Sequence, residues 1–241
     1  MPQQVELKIN IDNDTQATWG RRFFQRLVTH VVLKSIGIPV FMAIFFVGYF
    51  LVANHPLFPV TPIPDIGLDR VIGFQPWALG LYASLWVYVS IPPGLIVERR
   101  ELMAYGLAAL FLSLAGMAIF FFWPTATPQP VIDWARYPSY AFLKTADQAR
   151  NACPSLHVAF AVFSGFWIDR MLRRMDTRLL IRLLNVIWGL GIIYSTLATK
   201  QHVALDALGG AALGGVTAAL HWQFLHRRQR NDAAFEAAQI E

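Results

Sequence analysis

The sequence predicts an all-α integral membrane protein with six transmembrane helices and both termini in the cytoplasm. Three observations carry that expectation. Hydrophobic residues make up 56% of the 241 positions and charged residues only 15%, against about 25% charged in an average soluble domain. Several stretches hold no Asp, Glu, Lys or Arg over the length of about 20 residues that a bilayer-spanning helix needs. The basic residues gather in alternate connections between those stretches. Such a composition excludes a disordered chain and argues against a soluble globular one. The 14% share of aromatic residues suits rings that meet lipid tails and headgroups.

Residues 1–30 read as a cytoplasmic N-terminal segment. Its first 20 residues are polar, and the first apolar run is too long and too late for the core of a signal peptide. Thr15–Val28 mixes Trp19, Phe23, Phe24 and Leu27 with Arg21, Arg22 and Arg26. An interfacial helix and a plain solvated tail both fit that mixture. Residues 31–225 then form one membrane domain, with neither a repeat nor a Gly/Ser linker dividing it. Charge-free runs at Ser35–Pro64, Val71–Val97 and Leu102–Ile132, followed by Asn151–Ile168, Leu183–Thr199 and Ala207–Leu225, place helices near 31–53, 77–97, 102–123, 155–172, 179–198 and 203–225. Pro92-Pro93-Gly94 kinks or ends the second, and Gly210 and Gly214 give the sixth a face for close helix packing. Residues 226–241 are a cytoplasmic tail.

Orientation follows from the basic residues. Arg21, Arg22 and Arg26 precede the first span, and Arg99 and Arg100 lie between the second and third. Arg170, Arg173, Arg174 and Arg178 lie between the fourth and fifth, and Arg227, Arg228 and Arg230 follow the sixth. Six spans put all four clusters on one side, which the positive-inside rule assigns to the cytoplasm. Topology therefore accounts for most of the formal charge of +5 and removes the main reason to expect a nucleic-acid partner. The chain fits a bacterial inner membrane, its outer loops facing the periplasm.

The outward side keeps Arg70, Arg136, Lys144, Arg150 and Lys200. Three of these lie close to two polar segments, Asn151-Ala-Cys-Pro-Ser-Leu-His157 and Ser195-Thr-Leu-Ala-Thr-Lys-Gln-His202-Val-Ala-Leu-Asp206. Ionisable residues at membrane depth are functional-site candidates, and here two separate segments bring a histidine to the same face. His202 and Asp206 are four apart, on one face of a helix. A carboxylate so placed accepts the Nδ1 proton and leaves Nε2 as base or nucleophile. His157, from another helix, is the opposing acid. Pro154 suits the first turn of the fourth helix, whose free amides and dipole favour an anion near Ser155 and His157. Lys200 and Arg150 are placed to neutralise that anion, so the two segments together describe a phosphate site.

These segments resemble the second and third motifs of the type 2 phosphatidic acid phosphatase superfamily. The second, Pro-Ser-Gly-His in the family, reads Pro154-Ser155-Leu156-His157; the third, Ser-Arg and then His and Asp, maps onto Ser195, Thr196, His202 and Asp206 with its spacing intact. The Cys-Pro-Ser-Leu-His-Val and Thr-Lys-Gln-His forms look closer to the branch that includes inositol phosphorylceramide synthase. Leu156 replaces the family's Gly and Thr196 its Arg. The first motif, Lys and Arg-Pro seven residues apart, is absent; Lys144 and Arg150 lie in the corresponding loop one residue short of that spacing.

The resemblance implies a six-helix bundle and a lipid phosphatase of the phosphatidic acid or isoprenyl phosphate type. It implies His202 as nucleophile, Asp206 as its partner and His157 as acid and then base, with Lys200, Ser155, Arg150, Ser195 and Lys144 holding the phosphate and no metal or other cofactor. The same residues would serve a phosphotransferase that passes the group to an alcohol. The bland alternatives are a snorkelling anchor for Lys200, loop charges for Arg150 and Lys144, and helix-end hydrogen bonding for the two serines. Cys153 lacks the following Arg that a cysteine phosphatase needs and reads as a small buried residue. A metal held by His157, His202 and Asp206, a transporter relay and an inactive scaffold are the remaining alternatives. The lipid itself and the oligomeric state are left open by the sequence.

Overall fold

The computed structural model of the protein describes residues 19–140 and 150–237. Its helices are α1 (Trp19–Val28), α2 (Val31–Asn54), α3 (Gly67–Val71), α4 (Ala78–Ala83), α5 (Leu85–Leu95), α6 (Arg99–Phe122), α7 (Leu156–Arg174), α8 (Leu179–Ala198) and α9 (Ala204–Ala237). Among the described residues four stretches are long and apolar enough to cross a bilayer: Val31–Asn54, Ala78–Leu95, Arg99–Phe122 and Leu179–Ala198. The protein is thus a helical membrane protein, as its composition dictates.

The other two expected helices form as α7 and α9, which are less apolar and are not among those four stretches. The reason is packing. Helix α7 lies against α5, α6, α8 and α9, so protein neighbours rather than lipid surround it, and it accommodates the buried hydroxyl of Ser164. Helix α9 approaches it through small residues. A Cβ on Gly210 would overlap the carbonyl of Ser155, and one on Gly214 the carbonyl of Ala159. The small-residue face expected at these two glycines is therefore a seam onto α7. The second span is divided at Ser84 into α4 and α5; Pro92 and Pro93 sit inside its last turn and the helix ends at Leu95. Helix α9 continues through Ala237, well into the residues expected as a tail.

The long helices alternate in direction. At one end Glu101, at the start of α6, accepts from Arg170 (3.3 Å) and Arg174 (2.8 Å) at the end of α7. There too Arg182 meets Asp169 at 2.7 Å, and Lys34 Nζ donates to Arg26 O (2.9 Å) and Gly94 O (2.6 Å), tying α1 and α5 to the start of α2. The basic clusters at 99–100 and 170–178 share this end. At the other end the connections form a small platform that the sequence did not announce. Two-residue strands β1 (Thr61–Pro62) and β2 (Thr125–Ala126) pair in parallel. The fully buried Thr125 then accepts from Cys153 N through Oγ1 at 2.8 Å, fixing the approach to α7. Phe74 packs edge-on against Trp134, Tyr137 and Tyr140, at 5.4, 5.2 and 5.0 Å between centroids. Phe142, from the same aromatic group, and Lys144 lie outside the described residues.

Candidate active site

The platform end holds the two polar segments. Ser155 caps α7: its backbone is extended and its Oγ accepts from Val158 N at 3.3 Å. Its own N–H donates to Asp206 O at 2.9 Å, which locks the first turn of α7 to the first turn of α9. After α8 the chain reverses through Lys200, which has a left-handed φ of 58°. The N–H groups of Gln201 and His202 both donate to Thr196 O, at 3.2 and 3.1 Å, folding His202 back over the helix end. Helix α9 begins only at Ala204. His202 and Asp206 therefore meet, but through this reversal rather than on one helix face as the spacing suggested.

The result is a line of four side chains. Asp206 is fully buried, and its Oδ2 lies 3.3 Å from His202 Nδ1 while also accepting from Val203 N at 3.3 Å. His202 Nε2 is 3.3 Å from His157 Nδ1, and His157 Nε2 is 2.7 Å from the hydroxyl of Tyr82. Chemistry gives the line one direction. A carboxylate only accepts, so its place 3.3 Å from Nδ1 favours the His202 tautomer that carries the proton there and a lone pair at Nε2. His157 then donates from Nδ1, and its Nε2 accepts the Tyr82 O–H. The arrangement sets a ring nitrogen of His202 against a ring nitrogen of His157.

The histidines open on a cavity of about 440 Å³ whose lining is otherwise almost wholly apolar, with Asn151 and Tyr82 beside them. Asn151 is buried, adopts φ 55° and donates from Nδ2 to Tyr49 O at 3.3 Å. Neither Tyr82 nor Asn151 was singled out by the sequence reading. Tyr82 sits 75 positions from its histidine in a charge-free span, where a tyrosine is unremarkable.

The expected phosphate ligands are distributed differently. Ser155 borders the site as the cap of α7. Ser195 is buried, but its hydroxyl donates to Ile192 O at 2.6 Å within α8. Lys200 Nζ donates to Asp69 O (2.7 Å) and Ile72 O (2.6 Å), because the left-handed turn aims its side chain at the loop around α3. The same Asp69 accepts from Ala204 N through Oδ1 at 2.7 Å. Arg150 points its NH1 at Ala53 O, 3.4 Å away. Thr196, where the family carries Arg, is buried with Oγ1 on Ile193 O at 2.7 Å. Among the described residues, then, Lys200 and Arg150 are engaged by backbone carbonyls around α3 and at the end of α2 and not by the site of the histidines. Burial, and after it the Asp206 carboxylate, push the Cys153 thiol above its ordinary range, which disfavours the nucleophilic thiolate. Among the described residues no three His, Cys, Asp or Glu gather closely enough to hold a metal ion.

The model of the PAP2 superfamily matches residues 101–230, more than half of the chain and all of α7, α8 and the paired histidines. The chain belongs to the PAP2 superfamily. No curated protein and no solved structure matches it. Membership in the PAP2 superfamily supports an enzyme of the phosphatase or phosphotransferase kind. The Leu156 that stands in place of the family's Gly is buried, with its side chain packed on Gly116 of α6. That departure adds an apolar contact and leaves His157 in line with His202.

Proposed function

We propose that this protein is a metal-independent lipid phosphatase that hydrolyses a phosphate monoester or diphosphate of a membrane lipid, of the phosphatidic acid or isoprenyl phosphate type. In this reading six helices span a bacterial inner membrane, both termini are cytoplasmic, and the active site faces the periplasm. The observation that carries it is the directed line Asp206–His202–His157 at the end of an apolar cavity.

The phosphoryl group parts the two histidines on entering. His202 Nε2 attacks phosphorus, the bond to the lipid oxygen breaks, and that oxygen takes the proton from His157 Nδ1. Asp206 stabilises the imidazolium that develops on His202. Water then attacks the phosphohistidine and gives its proton to His157, releasing phosphate and restoring His202. The first-turn amides of α7, Ser155 and Asn151 hold the non-bridging oxygens. Lys200 and Arg150 join them only by leaving their carbonyl partners. Lys144, in the same loop, is a further candidate.

The burial of His202, which is 7% exposed, favours transfer to a lipid alcohol as a second reading, similar to inositol phosphorylceramide synthase, because water reaches such a site poorly. The test is phosphate release by detergent-purified protein from phosphatidic acid and isoprenyl phosphates, with EDTA present and His202→Ala alongside. Release that survives EDTA and disappears in the variant is expected. No release in the presence or absence of alcohol acceptors, or release unchanged in His202→Ala, would overturn the proposal.

A further inference from the structure

The cavity does more than admit a substrate. On the outer side it begins at His157 and His202; on the other it ends at Lys34, and α2 lines it from Lys34 to Tyr49 and Phe50. Fifteen residues of helix correspond to about 22 Å. Among the described residues no Asp or Glu lines it, so an uncharged chain attached to an anionic head meets no repulsion from them. Its far end is bordered by an ammonium already engaged with Arg26 O and Gly94 O, a boundary that hydrocarbon gains nothing by crossing.

Two glycines keep the deep third open. Gly37 on α2 and Gly106 on α6 both line the cavity, and a Cβ on either would meet nothing within 4 Å. Both stand within about 6 Å along their helices of residues that line the same end, Lys34 and Leu102 or Met103. Since neither glycine is required by a turn or a close helix contact, the empty space itself is the feature to explain.

Resting on the hydrolase reading, we infer that this cavity is a binding site for the hydrocarbon tail of the substrate, and that Gly37, Gly106 and Lys34 set the tail length it accepts. Continuity decides the occupant. The reacting phosphorus sits between the two histidines, and the cavity offers the chain attached to it through the ester oxygen an apolar path along α2. At about 1.2 Å per bond along an extended chain, 22 Å holds a tail of roughly 18 bonds.

Gly106→Leu and Gly37→Leu test this, since each fills open space and raises helix propensity. Gly215→Leu on α9 is the control: a Cβ there also meets nothing within 4 Å, and the residue does not line the cavity. The readout is binding of n-alkylphosphonates, which have no ester bond to cleave, with tails of about 8 and about 18 carbons to the protein in nanodiscs, by titration calorimetry. Binding requires no turnover, so a failure here is distinguishable from a failure of the phosphatase reading.

The wild type and Gly215→Leu are expected to prefer the long tail. A leucine at position 106 or 37 turns out about three methylenes and is expected to lower long-tail affinity roughly 50-fold, leaving the short tail unaffected. The same long-tail preference in wild type and Gly106→Leu, or no preference in the wild type, would overturn the inference and assign the cavity to bulk membrane lipid.

Discussion

Tyr82→Phe removes one hydroxyl and keeps the ring, so it isolates what that hydroxyl does to His157. The bond it deletes spans 2.7 Å between Tyr82 Oη and His157 Nε2, with Tyr82 buried. Without it, the 3.3 Å contact with His202 Nε2 is left alone to hold the His157 proton on Nδ1. The alternative tautomer sets the Nδ1 lone pair against that of His202 Nε2, 3.3 Å away, and presents no proton to the leaving group. A neutral hydrogen bond contributes about 0.5–1.5 kcal/mol net, which converts to a loss of roughly 2- to 13-fold in kcat. Losing the acid altogether, as in His157→Ala, is expected to cost about 10²–10⁴-fold. KM is expected to stay within about twofold, because the aromatic wall of the cavity is intact. The assay pairs steady-state kinetics with ¹⁵N spectra of the imidazole nitrogens, in which a shifted tautomer balance is read directly. A variant with wild-type kcat and unchanged His157 signals would refute the directed line.

Other outcomes follow from the packing. Glu101→Ala leaves Arg170, whose side chain is 9% exposed, without its carboxylate. It is expected to destabilise the bundle by about 3–5 kcal/mol in SDS titrations while leaving the residual activity of folded protein near normal. Gly210→Val drives a side chain into the Ser155 carbonyl, and is expected to cost about 1–3 kcal/mol and also activity, since it displaces the Ser155–Asp206 contact. Iodoacetamide is expected to alkylate Cys153 more slowly in folded protein than in SDS at pH 8, with the rate still climbing at higher pH, because its thiol is pushed up by burial and Asp206. Equal rates would contradict that placement.

How much of this was legible in the sequence depends on what each residue answers to. Lipid acts on composition directly, so the helices expected at 31–53, 102–123 and 179–198 match α2, α6 and α8 to within a few residues. Helices α7 and α9 answer to protein neighbours, and the shorter charge-free runs Asn151–Ile168 and Ala207–Leu225 still marked them. The histidines and Asp206 were legible because two short segments concentrate them. Their contact arises differently from the helix-face argument, since the reversal at Lys200 does the work. That turn also explains why Lys200, two residues from His202, faces the α3 loop: proximity in sequence says little across a left-handed turn. Tyr82, Asn151, Asp69 and the β1–β2 platform act across separations of scores of residues, and no local pattern records such pairings.

The central claim is that His202 carries the phosphoryl group. Rapid quenching of protein mixed with a ³²P-labelled lipid phosphate substrate, followed by peptide mapping, tests it most directly. The account predicts acid-labile, base-stable label on His202, absent from His202→Ala and accumulating in His157→Ala once the acid requirement is relieved by an activated leaving group. Turnover without label on His202, or label on any other residue, would contradict it.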